Sequence, residues 1–206
     1  MIDILVRLYD LPPLAPVMEK VEAQGIVIRR PIGPEKNAIC QWIAEHFSEK
    51  WAGECETAFF NTPKTMYLAI RSGDVPEMLG FACWDATVLG FFGPTGVAES
   101  ARGVGIGNAM LQCCLHAMRE QGYGYAIIGS ASKNALEFYR KVLPASSQML
   151  EGSKPGVYKD MLRAEHQKKQ LKRKRVKNVQ NGNPCTHIAR QFLRPEISGG
   201  NGPPIS

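Results

Sequence analysis

Residues 102–108 read R-G-V-G-I-G-N and set three glycines at alternate positions directly before an amphipathic run. Glycine inside a helix costs about 1 kcal/mol relative to alanine, so a chain with Gly103, Gly105 and Gly107 at a helix start needs bare backbone there. A strand ending near Val97, a glycine-rich loop and a helix beginning near Val104 would aim successive N–H groups at a ligand. The helix N-terminus adds about half a positive charge. That arrangement suits a phosphate or pyrophosphate, and Arg102 could supply a formal charge. G-x-x-x-x-G-K-[ST] is absent, which argues against a nucleoside-triphosphate loop. The dinucleotide pattern G-x-G-x-x-G also fails, because Asn108 stands where its third glycine would fall, counting from Gly103.

The elements that must position this turn follow from periodicity and breakers. Residues 2–11 read as a strand stopped by Pro12 and Pro13. Residues 15–25 read as a short helix, with Val17, Met18 and Val21 on one face and Gly25 at its end. A strand over 25–30 precedes a helix over 34–47, where Ala38, Ile39, Trp42, Ile43 and Phe47 fall at helical spacing; 49–60 is a further helical segment. Three short strands, 64–71, 77–86 and 87–97, joined by tight turns, form an antiparallel meander rather than parallel βαβ units. After the glycines, Leu111, Cys114, Leu115 and Met118 follow i, i+3, i+4, i+7 spacing up to Gly122. A buried strand (125–129), a helix (132–143) and two closing strands (146–152 and 156–162) complete the pattern. No internal repeat is found. The mixed order predicts an α/β fold with a central mixed, mostly antiparallel sheet flanked by helices.

R-x-x-G-x-G at 102–107 follows a strand and precedes a helix, and N-A-L-E-F-Y-R-K at 134–141 follows the strand Y-A-I-I-G. In these motifs, and in element order over about residues 26–162, the chain resembles the GCN5-related N-acetyltransferase family. The resemblance implies that family's acyl-coenzyme A N-acyltransferase fold. It implies that Arg102, Gly103, Val104, Gly105, Ile106 and Gly107 hold the pyrophosphate of acetyl-coenzyme A, chiefly through backbone N–H groups, and that Asn108 also binds this cosubstrate. Val97 would pair its backbone with the pantetheine arm and offer an N–H to the thioester carbonyl. Asn134 would contact the cosubstrate, and Tyr139 would stand beside the thioester sulfur. One departure is the Leu143–Pro144 pair, where the family usually has a glycine after this helix.

Acetyl transfer to an amine needs a neutral nucleophile, a polarised carbonyl and a proton for the departing thiolate. A tyrosine with a reference pKa of about 10 is protonated at neutral pH and can donate to a thiolate whose conjugate acid lies near about 8.5. Tyr139 is therefore the candidate acid. The base is open among Glu54 and Glu56 on the segment lining the family's acceptor site, Asp85 on a central strand, Glu99 beside the loop, and a water chain; Glu54 is the one favoured. Trp42, Trp51, Phe59, Phe60, Tyr67 and Trp84 are candidate walls of the acceptor pocket, with 152–158 at its rim. His46, His116, His166 and His187 show no ligand spacing, so no metal is expected.

Of 206 residues, 44% are hydrophobic, enough for one globular domain with a full core. The net charge of +6 is uneven: residues 166–206 carry nine Lys/Arg against one Glu, leaving the rest at −2. The charge run K-K-Q-L-K-R-K-R at 168–175 has no interleaved aromatic, so nucleic-acid binding is not the favoured reading. Six cysteines form no C-x-x-C pair and read as reduced, small hydrophobes. No signal segment or membrane-length apolar run is found, and a cytoplasmic location is expected. The expected organisation is a strand–helix extension over 1–25, an N-acetyltransferase domain over 26–163 and a basic tail over 164–206. The extension is expected to add an edge strand and a covering helix, or to form a homodimer contact. The functional expectation is acetyl transfer from acetyl-coenzyme A to a primary amine, of a small molecule, by direct attack in a ternary complex. The alternatives are a non-catalytic acyl-coenzyme A binding module and a protein or peptide amine acetyltransferase.

Overall fold

Proline and glycine set many of the boundaries, and apolar alternation decides which strands lie inside. The computed structural model describes residues 2–131, 133–154 and 156–162, with backbone alone at 130, 131, 133 and 134. The basic tail expected from residue 164 lies outside the described residues. The chain divides into the units Met1–Lys159 and Asp160–Ser206, and the helices and strands described here belong to the first.

Strand β1 (Ile2–Arg7) leads through a 3-10 turn to helix α1 (Ala15–Glu22), which has Pro16 in its first turn. Gly25, at φ 71°, reverses the chain into β2 (Ile26–Arg29). Helix α2 (Lys36–His46) follows a turn closed by Ile32 N–H donating to Glu35 Oε2 at 2.7 Å. Ser48 Oγ accepts from Trp51 N–H at 3.2 Å and caps α3 (Glu49–Phe60). The meander is β3 (Met66–Arg71), β4 (Glu77–Trp84) and β5 (Phe91–Val97). Helix α4 (Ile106–Glu120), β6 (Tyr125–Ala131), α5 (Lys133–Val142) and β7 (Gln148–Leu150) complete the unit.

The seven strands form one sheet in the order β2-β3-β4-β5-β6-β1-β7. All neighbours are antiparallel except β5 and β6. The sheet is thus mixed and mostly antiparallel, as the element order predicted. Two cores cover its faces. On one, α1, α4 and α5 bury residues such as Val21, Met110, Leu115 and Leu136 against Leu79 and Trp84. On the other, α2 and α3 bury Ile39, Ile43, Cys55 and Phe59 against Leu68 and Phe81. Among the described residues no helix is long and apolar enough to cross a membrane.

Two expectations need correction. β1 is not an edge strand: it lies between β6 and β7, antiparallel to both. Its alternation buries Ile4 and Val6 completely, and Leu8 just beyond it, so this strand closes an edge of β6 that the short β7 could not cover. The last expected strand, over 156–162, is instead a 3-10 turn at Gly156–Tyr158. Gly156 sits at φ 56°, which turns the chain out of extended backbone.

Candidate active site

The three glycines of the turn do different work. Gly103 (φ 86°) and Gly105 (φ 101°) lie in the left-handed region, where a side chain is strained. Gly105 is the N-cap of α4, and the first helical bond is Ala109 N–H to Gly105 C=O at 3.0 Å. The N–H groups of Ile106, Gly107 and Asn108 therefore have no acceptor within the helix. Gly105 itself offers no side-chain cap, so these donors stay open at the positive end of a 15-residue helix. Gly107 has neither need: its φ is ordinary, and a Cβ there would make normal contacts, 3.6 Å from Phe138 Cζ and 3.8 Å from Val97 Cγ2. Asn108 Oδ1 is buried with no hydrogen-bond partner among the described residues. Arg102 does not point its charge freely at the turn. Its Nε donates to Val97 C=O at 3.2 Å, and its guanidinium lies 3.5 Å from Glu99.

Beside the turn the sheet opens. β5 and β6 pair only at Phe91↔Ile127 and Phe92↔Ile128. Pro94 lacks an N–H and cannot continue the ladder. On the β4 side the register is Gly80↔Val97, and Ala98 N–H donates to Leu79 C=O at 2.9 Å. Antiparallel pairs alternate, so Val97 turns its own N–H and C=O away from β4, toward the gap that opens beyond Phe92. An extended ligand could add to this edge as a strand does.

Helix α5 closes the other side. Phe138, which contacts the site of Gly107, packs edge-on against Tyr139 with ring centroids 5.2 Å apart. Tyr139 is 6% exposed, and burial pushes its phenol up to about 12. It stays protonated across the neutral range, as a proton donor must. Gln112 Nε2 donates to Val142 C=O at 3.1 Å and ties α4 to α5. Asn134 is in the first turn of α5, but its side chain lies outside the described residues.

Three of the four carboxylates have partners of another kind. Asp85, at φ 52°, accepts from Gly90 N–H (2.7 Å) and Tyr123 O–H (3.0 Å), which fixes the 85–90 turn. Glu56 is paired with Lys36. Glu99 is highly exposed and faces Arg102. Glu54, with a side chain 20% exposed, accepts from Thr87 Oγ1 at 3.4 Å and lies 3.8 Å from Lys50 Nζ. Lys50 Nζ also stands 5.3 Å over the Tyr158 ring. Burial, then the charge of Glu54, raises the Tyr158 phenol. Glu54, Lys50, Thr87 and Tyr158 thus form one cluster, and no contact links Glu54 to the glycine turn among the described residues.

The six aromatics expected to wall one pocket divide between the two faces of the sheet. Trp42 and Trp51 pack edge-on against Phe81 on the α2/α3 face, and Phe59 is buried there. Phe60 is exposed, with Lys36 Nζ 5.6 Å over its ring. Tyr67 and Trp84 stack at 5.7 Å on the opposite face, beneath the Arg30 guanidinium. Phe47, placed by sequence only on a helix face, lays its ring on Gly96, where a Cβ would come within 2.7 Å of Phe47 Cε1. Phe47 also stacks on Trp51 at 5.4 Å, so this aromatic group reaches the strand residue next to Val97. His116 serves structure: Nε2 donates to Pro12 C=O (2.9 Å) while Nδ1 accepts from Arg119 (3.2 Å). Among the described residues no group of three or more His, Cys, Asp or Glu could hold a metal ion.

Comparison with known proteins agrees with this fold. A GCN5-related N-acetyltransferase from Sphaerobacter thermophilus superposes with a TM-score of 0.52 at 21% identity, covering 72% of this chain and 48% of that one. The GCN5-related glucosamine N-acetyltransferase region of a fungal multi-domain GH3 β-N-acetylglucosaminidase superposes with a TM-score of 0.58 at 13% identity, covering 72% of this chain and 19% of that one. The chain thus spans less than half of either structure, and at these identities both likenesses bear on the fold alone. No curated protein sequence matches. Residues 36–143, from α2 to the residue after α5, match the acetyltransferase (GNAT) family, and the chain belongs to that family.

Proposed function

We propose that the protein transfers an acetyl group from acetyl-coenzyme A to a primary amine of a small molecule, by direct attack of the amine on the thioester. Acetyl transfer in general follows from family membership. The observation that carries the finer reading is the juxtaposition of three things: open N–H groups at the Gly103–Asn108 turn, the open N–H of Val97, and the buried, protonated Tyr139. These suit, in turn, the pyrophosphate, the pantetheine arm and the sulfur of one extended thioester.

On this reading the N–H groups of Ile106, Gly107 and Asn108 hold the pyrophosphate. Val97 N–H donates to the thioester carbonyl oxygen and steadies the negative charge that builds there as the amine attacks. Nitrogen forms the new bond to the carbonyl carbon, the carbon–sulfur bond breaks, and Tyr139 gives its proton to the leaving thiolate. Glu54 is the carboxylate we assign to accept the proton lost by the amine, through water where the two do not touch. The five described cysteines are free thiols, which supports a reducing, cytoplasmic setting.

The test is thiol release from acetyl-coenzyme A by the purified protein against polyamines, amino acids, aminoglycosides and N-terminal peptides. Turnover with a small amine is expected. Binding of acetyl-coenzyme A without turnover on any acceptor would make the protein a binding module. Turnover on peptides alone would move the acceptor to proteins.

A further inference from the structure

The strand–helix segment before β2 supplies more than sheet and cover. Lys20, on the last turn of α1, lays its side chain across the bare face of Gly105. A Cβ placed on that glycine would lie 3.6 Å from Lys20 Cδ and Cε and 3.9 Å from Nζ. One turn later Gln24 bridges the two elements, with Nε2 donating to Lys20 C=O at 2.7 Å and to Val104 C=O at 3.1 Å. α1 is itself fixed on α4: Val21 is fully buried and Met18 Sδ meets Cys113 Sγ at 3.4 Å. Lys20 is therefore held at the turn by the fold.

The charge balance at this point is incomplete. Lys20 makes no ion pair among the described residues, whereas Arg102 is satisfied by Glu99 and Val97 C=O. An ammonium over the positive end of a 15-residue helix is repelled by the helix dipole unless an anion lies between them. Lysine on a flexible stem is a compact point charge that meets phosphate oxygens from many directions.

We propose that Lys20 is a phosphate-binding residue of the cosubstrate site, placing its ammonium on the pyrophosphate opposite the N–H groups of Ile106, Gly107 and Asn108. Gln24 is a positioning residue that locks α1 to the turn. The proposal rests on the reading of the turn as the acetyl-coenzyme A site. It makes the N-terminal segment part of that site, although the segment lies outside the stretch that carries the family match.

The test compares Lys20→Met and Lys20→Arg with wild type by calorimetry, using acetyl-coenzyme A, dephospho-coenzyme A and S-acetylpantetheine. Lys20 is exposed, so both variants are expected to keep the wild-type melting temperature. Lys20→Met should weaken both phosphorylated ligands about tenfold, the value of one charge-assisted hydrogen bond. It should leave S-acetylpantetheine unchanged and flatten the salt dependence of binding; Lys20→Arg should restore most of the affinity. Unchanged affinity for acetyl-coenzyme A would overturn the proposal. Equal loss on all three ligands would make Lys20 a structural residue. A loss confined to acetyl-coenzyme A would move it from the pyrophosphate to the 3′-phosphate. Wild type that binds none of the three would overturn the cosubstrate reading itself, and the Lys20 proposal with it.

Discussion

The glycine turn and the aromatic face under α2 and α3 are built in opposite ways. At the turn, the candidate site is backbone: two left-handed glycines, where a side chain would be strained, and three open helix N–H groups. On the α2/α3 face, function would have to come from side chains, and the same rings of Trp42, Phe47 and Trp51 also pack the core around Phe81. A backbone site tolerates little change at the positions that shape it and much at its neighbours. A side-chain site shared with the core cannot change without altering stability as well. On the proposed reading, backbone recognises the cosubstrate, while the amine would be recognised by side chains that the core also needs.

The largest effect is expected where the backbone rule is broken outright. Gly105→Glu forces a side chain onto φ 101°, runs it beside the Lys20 stem and sets a carboxylate where the pyrophosphate would lie. Strain and repulsion together should lower acetyl-coenzyme A affinity about a thousandfold. Calorimetry on a variant that still melts cooperatively measures it, and wild-type affinity there would remove the turn from the cosubstrate site. Next comes Tyr139→Phe, which should cut kcat about a hundredfold with little change in cosubstrate affinity. With its phenol pushed up to about 12, Tyr139 keeps its proton far into the alkaline range. Wild-type turnover should therefore rise with pH as the amine deprotonates, with no fall from Tyr139 ionising near 10. The linked stability runs the other way. A phenol near 10 in the unfolded chain and about 12 in the fold contributes fully below pH 10, and that contribution fades as pH climbs toward 12. Wild type should lose more stability than Tyr139→Phe over that interval, as denaturant titrations at several pH values would record.

What could be read in advance divides along the same line. Gly103 and Gly105 were legible because glycine advertises backbone conformations that other residues rarely adopt. The motif around Tyr139 singles it out, and the fold buries it against Phe138. Lys20 was not, since no local pattern says that α1 will lie on a turn some 80 residues away, as the Gln24–Val104 bond shows. The inner place of β1 was hidden for a related reason: apolar alternation marks a buried strand but does not name its neighbours. The division of the aromatics was available in principle. Phe81 and Trp84 are three apart on one strand, so period-two alternation puts them on opposite faces. The 156–162 stretch misled because its apolar residues suited a strand while the decisive feature was the positive φ of Gly156.

On the side-chain face, Gly96→Ala is the direct counterpart of Gly105→Glu. Gly96 needs no unusual φ; it needs room, because Phe47 lies where a Cβ would go. Overpacking of this kind should cost about 2 kcal/mol and lower the melting temperature. Acetyl-coenzyme A affinity should fall far less than in Gly105→Glu. A variant as stable as wild type would mean that Phe47 swings aside, and that the aromatic face is free to reshape around an acceptor.

The smallest effect is expected at the residue that looked most like a phosphate ligand in the sequence. Arg102 spends its guanidinium on Val97 C=O and Glu99, both on its own side of the turn, and more than half its side chain is exposed. Exposed pairs of this sort are worth about 1 kcal/mol or less. Arg102→Gln should therefore weaken acetyl-coenzyme A by no more than about threefold. It should also leave the salt dependence of binding near wild type, unlike Lys20→Met. A tenfold loss with a flatter salt dependence would mean that Arg102 leaves Glu99 when the pyrophosphate arrives. The cation of the site would then lie on the glycine loop rather than on α1, and the N-terminal segment would return to the role of cover.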